Sequence, residues 1–444
     1  MSTSIIPGLD AVARSSLAFL SDILTGYPRA NIAVRTWDGA TWQGNNAPVC
    51  TLVMNHPTAV RRMFSPPRML SLCEAYLYGD IDIEGDIEAF WALIEYLFVQ
   101  GLEPGRLHRR RVEQELADIP REGPARTSRA APRMTGELAS LERDRRAIAS
   151  HYDVSNEFYA LWLDDEMIYS CAYFTEVDQS LEQAQRQKLD HICRKLRLRP
   201  GERLLDIGCG WGGLIRHACQ HYGVEAVGIT ISDAQAELAR ERIRRAGLES
   251  RCRVELCDYR EMRSAEPFDK IVSVGMFEHV TEAMLAPYFS QAWTLLRPGG
   301  VFLNHAIAMH IGPIQPVGTP FVYLYIFPDS QLQPISASLR AAESTGFEVR
   351  DVECLREHYE LTTRAWLRRL ESRADDARRM TSELTYRIYR LYLAMSAHAF
   401  HIGQPTIYQS LLSRPSAGQA GLPLTRDDWY GTRPRLHRPN SAAA

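Results

Sequence analysis

The run Leu204-Leu205-Asp206-Ile207-Gly208-Cys209-Gly210-Trp211-Gly212-Gly213 has the residue types to grip a small ligand with its backbone. An apolar strand ends in an acid, and glycines then open a helix. Glycine lets the main chain approach a ligand where a Cβ would clash, and a helix N-terminus favours an anionic group. A GxGxxG spacing alone is weak evidence for a dinucleotide site. Here the glycines run GxGxGG directly after a strand aspartate, which suits S-adenosylmethionine (SAM). Its carboxylate would sit near the helix N-terminus, and Asp206 would face the cationic amino-acid end. A dinucleotide enzyme carries an acid at the end of its second strand to hold ribose hydroxyls. This chain instead reads Val227-Gly228-Ile229-Thr230-Ile231-Ser232, then Asp233 and Gln235. Thr230 and Gln235 are therefore the expected ribose partners, and NAD is disfavoured. Asp258-Tyr259-Arg260 follow the third strand, where an adenine pocket would lie. Tyr259 is placed to stack on the base and Asp258 to accept from its amino group. The expected cofactor residues from these runs are Asp206, Gly208, Cys209, Gly210, Trp211, Gly212, Thr230, Gln235, Asp258, Tyr259 and Arg260.

The elements that must hold these residues follow from the pattern. From Leu204 onward strand, glycine turn and helix repeat. Strands are expected at 204–207, 226–229, 254–256, 270–274, 301–304 and 347–354. Helices are expected at 212–222, 233–245, 284–296 and 378–400. Such alternation implies an α/β, Rossmann-like fold with a parallel sheet and helices on both faces, whose ligands bind at the carboxyl ends of the strands. Glu278 follows one such end and so is a candidate for chemistry. Cys171, His305 and Tyr359, taken singly, read first as packing.

Residues 1–115 read as a smaller α+β domain, with strands near 32–37 and 49–55 and helices at 69–78 and 86–100. Residues 116–145 read as a basic linker. Its arginines and those just before it, Arg106 to Arg133, form either a solvated connector or a patch for anionic head groups. A catalytic domain is expected over 146–414, with an aromatic insertion at 308–336 covering the active face, whose Phe321, Tyr323, Tyr325 and Phe327 are expected to line an acyl channel rather than pack in the core, and a loosely ordered tail over 415–444.

The net charge is −3 over 444 residues, so no global field draws the chain to nucleic acid. Nine cysteines occur without a CxxC pair, so neither a metal site nor a disulfide framework is expected, and a reducing cytoplasm fits. Met1 to Gly26 lacks a signal-peptide pattern. The most apolar stretch, Ala89 to Leu102, is too short to span a bilayer and reads as a buried helix. A lipid substrate would then be met from the aqueous side, through transient membrane contact.

The full set of motifs resembles the cyclopropane-fatty-acid synthase family, which includes the mycolic-acid cyclopropane synthases. The matching runs are His151-Tyr152-Asp153-Val154-Ser155-Asn156, Tyr169-Ser170-Cys171-Ala172-Tyr173-Phe174 and the glycine loop. Ser273-Val274-Gly275-Met276-Phe277-Glu278-His279-Val280, Tyr325-Ile326-Phe327-Pro328 and His358-Tyr359 with Trp366 complete the set. The resemblance spans Ala149 to about Arg414. It implies a class I SAM-dependent methyltransferase fold with a mostly parallel seven-stranded sheet, and it adds Tyr169 and Ser170 to the cofactor residues. It also implies transfer of a one-carbon unit to the cis double bond of an unsaturated acyl chain, with bound bicarbonate as base. The bicarbonate-holding residues would be Cys171, Glu278, His305, Ile307 and Tyr359. The N-terminal domain resembles the extra domain of phospholipid-acting members, which favours a phospholipid substrate. A methylene- or methyl-branched product, a non-catalytic lipid-binding role and a homodimer are further readings. Two departures stand out. Ser396 replaces a cysteine common in the long C-terminal helix, and Asn304 stands where an apolar residue is usual.

Overall fold

The computed structural model describes residues 10–100, 109–126, 140, 142–143, 154–311 and 319–430. His151, Tyr152 and Asp153 lie outside the described residues. The chain divides into two compact units. One comprises residues 1–134, 312–328 and 363–404, and the other 135–311, 329–362 and 405–444. Grouping by contact differs from the expected division by sequence, because 312–328 and 363–404 join the N-terminal residues.

In the first unit β1 (Ile32–Arg35), β2 (Thr41–Gln43), β3 (Cys50–Met54) and β4 (Ile81–Gly85) form a four-stranded sheet in the order β2-β1-β3-β4. The apolar stretch is a buried helix, as expected: Ile87–Glu95 begins after the Asp86 cap and continues as a π-turn over Tyr96–Gln100. Arg109–Glu115 is helical rather than part of a loose connector. Val112, Leu116 and Ile119 are buried, and the buried Arg61 guanidinium donates to Ile119 O at 3.0 Å and to Leu116 O. The 378–400 helix expected from the sequence is interrupted. One helix ends at Met380, and Ser382 caps the next, Glu383–His401, by accepting from Thr385 N–H. An N-cap serine starts a helix but does not continue one.

The second unit is built on a seven-stranded sheet. Its strands are β5 (Arg203–Ile207), β6 (Glu225–Thr230), β7 (Cys252–Leu256), β8 (Phe268–Val274), β9 (Leu296–Met309), β10 (Glu348–Cys354) and β11 (Pro405–Ser413). The order is β10-β11-β9-β8-β5-β6-β7. The strands from β9 to β7 pair in parallel, and β11 runs antiparallel to both β9 and β10. Alternate strand residues enter opposite cores, as the two-residue period requires. Leu204, Ala226, Val272, Leu303 and Leu411 pack with the helices Leu181–Leu196, Gly213–Tyr222 and Asp233–Arg245. Leu205, Val227, Ile271, Phe302 and Leu412 pack with Leu285–Leu295. Each fully buried aliphatic side chain contributes about 2 kcal/mol.

Strand β11 was not expected from the sequence. It is buried on both faces, with Gln409 and Ser410 inside, so it lacks the polar-apolar alternation that marks a half-buried strand. The tail is also more ordered than expected up to residue 430. Trp429 is buried between Lys195 and Arg197, and Arg197 bonds Asp428 at 2.7 and 3.0 Å. Among the described residues no helix is long and apolar enough to cross a membrane.

Candidate active site and cofactor pocket

Strands β5, β6, β7 and β8 end on one edge of the sheet, and a pocket opens there. Every expected cofactor residue except Gly212 lines it: Tyr169, Ser170, Asp206, Gly208, Cys209, Gly210, Trp211, Thr230, Gln235, Asp258, Tyr259 and Arg260. Gly212 serves the turn instead. Its φ is +78°, and a Cβ there would crowd Ala239 Cβ at 3.2 Å. Gly208 is held at φ +84°, where a Cβ would lie 2.7 Å from that of Met276. At Gly210 an added Cβ would meet nothing within 4 Å, so the backbone there stands open to a ligand.

The walls have defined chemistry. Asp206 is 2% exposed. Its Oδ1 is sealed from solvent and has no hydrogen-bond partner among the described residues. Burial pushes its carboxyl up to about 7, against the pull of the Lys188 ammonium. A cationic amino group is the ligand that would satisfy this atom and restore the carboxylate. Thr230 Oγ1 donates to Gln235 Oε1 at 2.9 Å, which leaves the Gln235 amide N–H as the group to offer a ribose hydroxyl. Asp258 is gripped by Arg260 at 2.8 and 2.7 Å, and the same guanidinium lies 5.5 Å from the Tyr259 ring centre. Arg260 therefore braces the expected adenine contacts. Asn156 Oδ1 accepts from the Trp211 indole N–H at 2.7 Å and fixes that ring. These groups fit SAM: an unpartnered acid for its ammonium, a helix N-terminus, neutral ribose partners and an aromatic face.

The five residues expected to hold bicarbonate all belong to the second unit. Glu278 sits in the short helical turn after β8. Its Oε1 accepts from Ile307 N–H at 2.9 Å, so that N–H, one of the groups expected to meet the anion, orients the carboxyl instead. Its Oε2 is sealed from solvent and, among the described residues, unpartnered. Burial raises the Glu278 pKa to about 7, with the Ile307 bond opposing. His305 is fully buried on β9, and burial holds its pKa far below the usual range. The ring is therefore neutral. Gln409 Nε2 lies 3.1 Å from His305 Nδ1. An amide N–H can only donate, so Nδ1 accepts and the ring proton sits on Nε2. That Nε2 is buried and, among the described residues, lacks a partner.

Cys171 is buried, its Sγ 3.7 Å from Leu355 O. Leu355 O also accepts from Tyr359 N–H at 3.1 Å, and Leu355 N–H donates to Ile407 O. Ile407 pairs with Ile307 in the β9–β11 register. One ladder thus ties Cys171 and Tyr359 to Ile307 and Glu278. The Cys171 thiol is pushed far above its ordinary value by burial, so it offers no thiolate, and the neighbouring main chain is fixed by Ala172 N–H on Thr362 Oγ1 at 3.0 Å. Asn304 points the other way, into the opposite core, where its Oδ1 accepts from Tyr288 OH at 3.0 Å. This partner accounts for its polarity.

The sequence reading missed Lys188, Met276, His279 and Met284, which also line the pocket, and Gln409. Of the aromatic insertion, Phe321 packs in the first unit against Trp91 and Tyr325, and Phe327 against Tyr392. Phe321 is buried in the core, whereas Tyr325 and Phe327 are half-buried and Tyr323 is exposed.

A family model described as mycolic acid cyclopropane synthetase matches residues 139–410, and a domain of unknown function matches 19–100. A probable fatty acid methyltransferase from Pseudomonas putida is 39% identical over 90% of this chain and 96% of its own length. The cyclopropane-fatty-acyl-phospholipid synthase of Escherichia coli is 37% identical over 62% of this chain and 71% of its own. The crystal structure of mycolic acid cyclopropane synthase CmaA1 complexed with SAH and CTAB superposes with a TM-score of 0.58 at 34% identity, covering 60% of this chain and 97% of that one.

Proposed function

The chain belongs to the mycolic acid cyclopropane synthetase family and is a SAM-dependent methyltransferase, and on that premise we propose that it converts cis double bonds of phospholipid acyl chains into cyclopropane rings, with bicarbonate as base. When bound, SAM supplies an electrophilic methyl carbon, and bicarbonate supplies the base for the proton released as the ring closes. The chain supplies placement, because an alkene is a weak nucleophile that reacts only when held in line at near-attack distance. Asp206 holds the amino-acid end of the donor, Thr230 and Gln235 the ribose, and Tyr259 the base.

The observation that carries the proposal is a pair of buried atoms without partners, Glu278 Oε2 and His305 Nε2. An unmade bond on a buried polar atom costs about 1–3 kcal/mol, so such a pair marks a place for a ligand. One atom accepts and the other donates, which suits an anion that carries its own hydroxyl. His305 Nε2–H meets an anionic oxygen. Glu278, oriented by Ile307, accepts the hydroxyl proton and raises the anion's basicity. Cys171 and Tyr359 are joined through Leu355 and Ile407 to the strand that carries His305 and Ile307. The N-terminal unit supports phospholipid as substrate, with transient contact at the membrane surface.

A second reading is favoured by the name of the Pseudomonas putida relative, fatty acid methyltransferase: proton loss elsewhere would give a methylene- or methyl-branched chain. Incubation with isotopically labelled SAM and unsaturated phospholipid vesicles, followed by proton NMR of the lipid, separates the two. Upfield cyclopropyl resonances are expected. Exomethylene or methyl-branch signals alone would overturn ring closure in favour of the second reading.

A further inference from the structure

Lysine has three donors and no acceptor, and it is almost never fully buried without a partner for its charge. Lys188 is an exception. It is 2% exposed and lines the cofactor pocket. Among the described residues its ammonium makes one hydrogen bond, to Ser170 Oγ at 2.9 Å, and has no carboxylate at ion-pair distance. Asp164, Cys171 and Asp206 act on it only from farther away, and burial holds its pKa down to about 8. One turn earlier on the same helix, Gln185 Nε2 donates to Ser170 O at 2.9 Å. This i, i+3 pair fixes both the main-chain and side-chain oxygens of residue 170.

We propose that Lys188 is a positioning residue for the carboxylate of SAM, acting through Ser170. An ammonium cannot accept, so Ser170 Oγ must be the acceptor in their bond. The Ser170 proton is thereby turned away from Lys188 and left free to point into the pocket that Ser170 also lines. A hydroxyl that accepts from a cation is polarised into a stronger donor, and a carboxylate is the partner such a donor favours. Asp206 faces the same pocket with an unpartnered oxygen. The two walls thus sort the zwitterion: the acid takes its ammonium, and the polarised hydroxyl takes its carboxylate. The assignment rests on SAM being the ligand of this pocket.

The test is calorimetric affinity of the full chain for two probes: S-adenosylhomocysteine, which carries the amino-acid end, and 5′-methylthioadenosine, which lacks it. Lys188→Met should weaken S-adenosylhomocysteine on the order of tenfold and leave 5′-methylthioadenosine within about twofold. Ser170→Ala should show the same selective loss, and adding Lys188→Met to it should change nothing further. Equal losses for both probes would overturn the assignment, since Lys188 would then only shape the pocket. Additive losses would overturn the route through Ser170. If Lys188→Met shows no cooperative thermal transition, Lys188→Gln is measured the same way, and a loss that is absent or unselective overturns the assignment. A wild-type chain that binds neither probe would instead overturn the SAM reading of the pocket, a result distinct from all of these.

Discussion

Asp80 in the first unit and Asp206 in the second are 1% and 2% exposed, yet their surroundings are opposite. Asp80 is met by Arg126 at 2.6 Å, by His56 at 3.0 Å and by Arg62. Elsewhere in that unit Glu95 is buried against His398 at 2.8 Å, and Arg390 holds Glu371 at 2.8 Å. In the second unit the buried oxygen of Asp206, one oxygen of Glu278 and one nitrogen of His305 have no partner among the described residues, and the Lys188 ammonium has a single bond. Burial of charge is tolerated when it is paired, and it is costly otherwise. The first unit uses buried charge to fasten elements together. The second also pairs some of its buried charge, as Lys195 with Glu353 and Asp351, but it leaves these four groups open: Asp206 and Lys188 line the cofactor pocket, and Glu278 and His305 lie at β8 and β9 beside it in the sheet.

This contrast is broken most severely at Glu278. Glu278→Gln should lower turnover by about a thousandfold, within the range for loss of a group that assists proton transfer. Its affinity for SAM should stay within about twofold of wild type, as read by steady-state kinetics and calorimetry. Near-wild-type turnover would remove Glu278 from the chemistry. The mirror experiment is Asp80→Asn, which strands two arginines. It should destabilise the first unit by about 2–3 kcal/mol in denaturant unfolding and leave S-adenosylhomocysteine affinity unchanged. A loss of affinity without a loss of stability would show that the contrast is misdrawn.

The smallest effect is the most diagnostic of an open site. Burial raises the Glu278 pKa from 4.5 to about 7, so the folded protein binds this proton more tightly than the unfolded chain. That contribution to stability is fully present below about pH 4.5 and is lost as pH rises through about 7. Glutamine carries no such penalty. Glu278→Gln should therefore stabilise the ligand-free protein by roughly 1–2 kcal/mol at pH 8, discounted for partial exposure, and by little near pH 4.5. Thermal unfolding at the two values checks this. A variant less stable than wild type at pH 8 would mean that Glu278 is a structural tie.

The parts of this molecule that local chemistry dictates were legible in the sequence. The glycine loop needs backbone freedom and an adjoining acid, so Asp206 to Trp211 could be read directly, and twelve of the expected cofactor residues line one pocket. Parallel strands and their helices follow from alternation alone. The hidden parts depend on partners distant in the chain. Lys188 lies on an amphipathic helix, where a lysine ordinarily marks the solvated face, and nothing local reveals that its ammonium is buried on Ser170. Gln409 sets the His305 tautomer from β11, a strand buried on both faces that carries no period-two signal. The interruption at Ser382 did have a local sign, an N-cap serine, masked by apolar periodicity continuing on either side. The arginines in and just before the linker read as a solvated connector or a head-group patch because their acceptors, Asp80 for Arg126 and Asp22 with Glu115 for Arg111, come from other elements or from the turn next along the helix.

The central claim is that the open cluster around Glu278 and His305 accepts an anionic base. Initial rates measured in carbon-dioxide-free buffer, with unsaturated phospholipid vesicles and saturating SAM, test it most directly. The account predicts a slow basal rate that rises and saturates as bicarbonate is added. A rate indifferent to bicarbonate across that titration would contradict it and return the proton to a side chain of the protein.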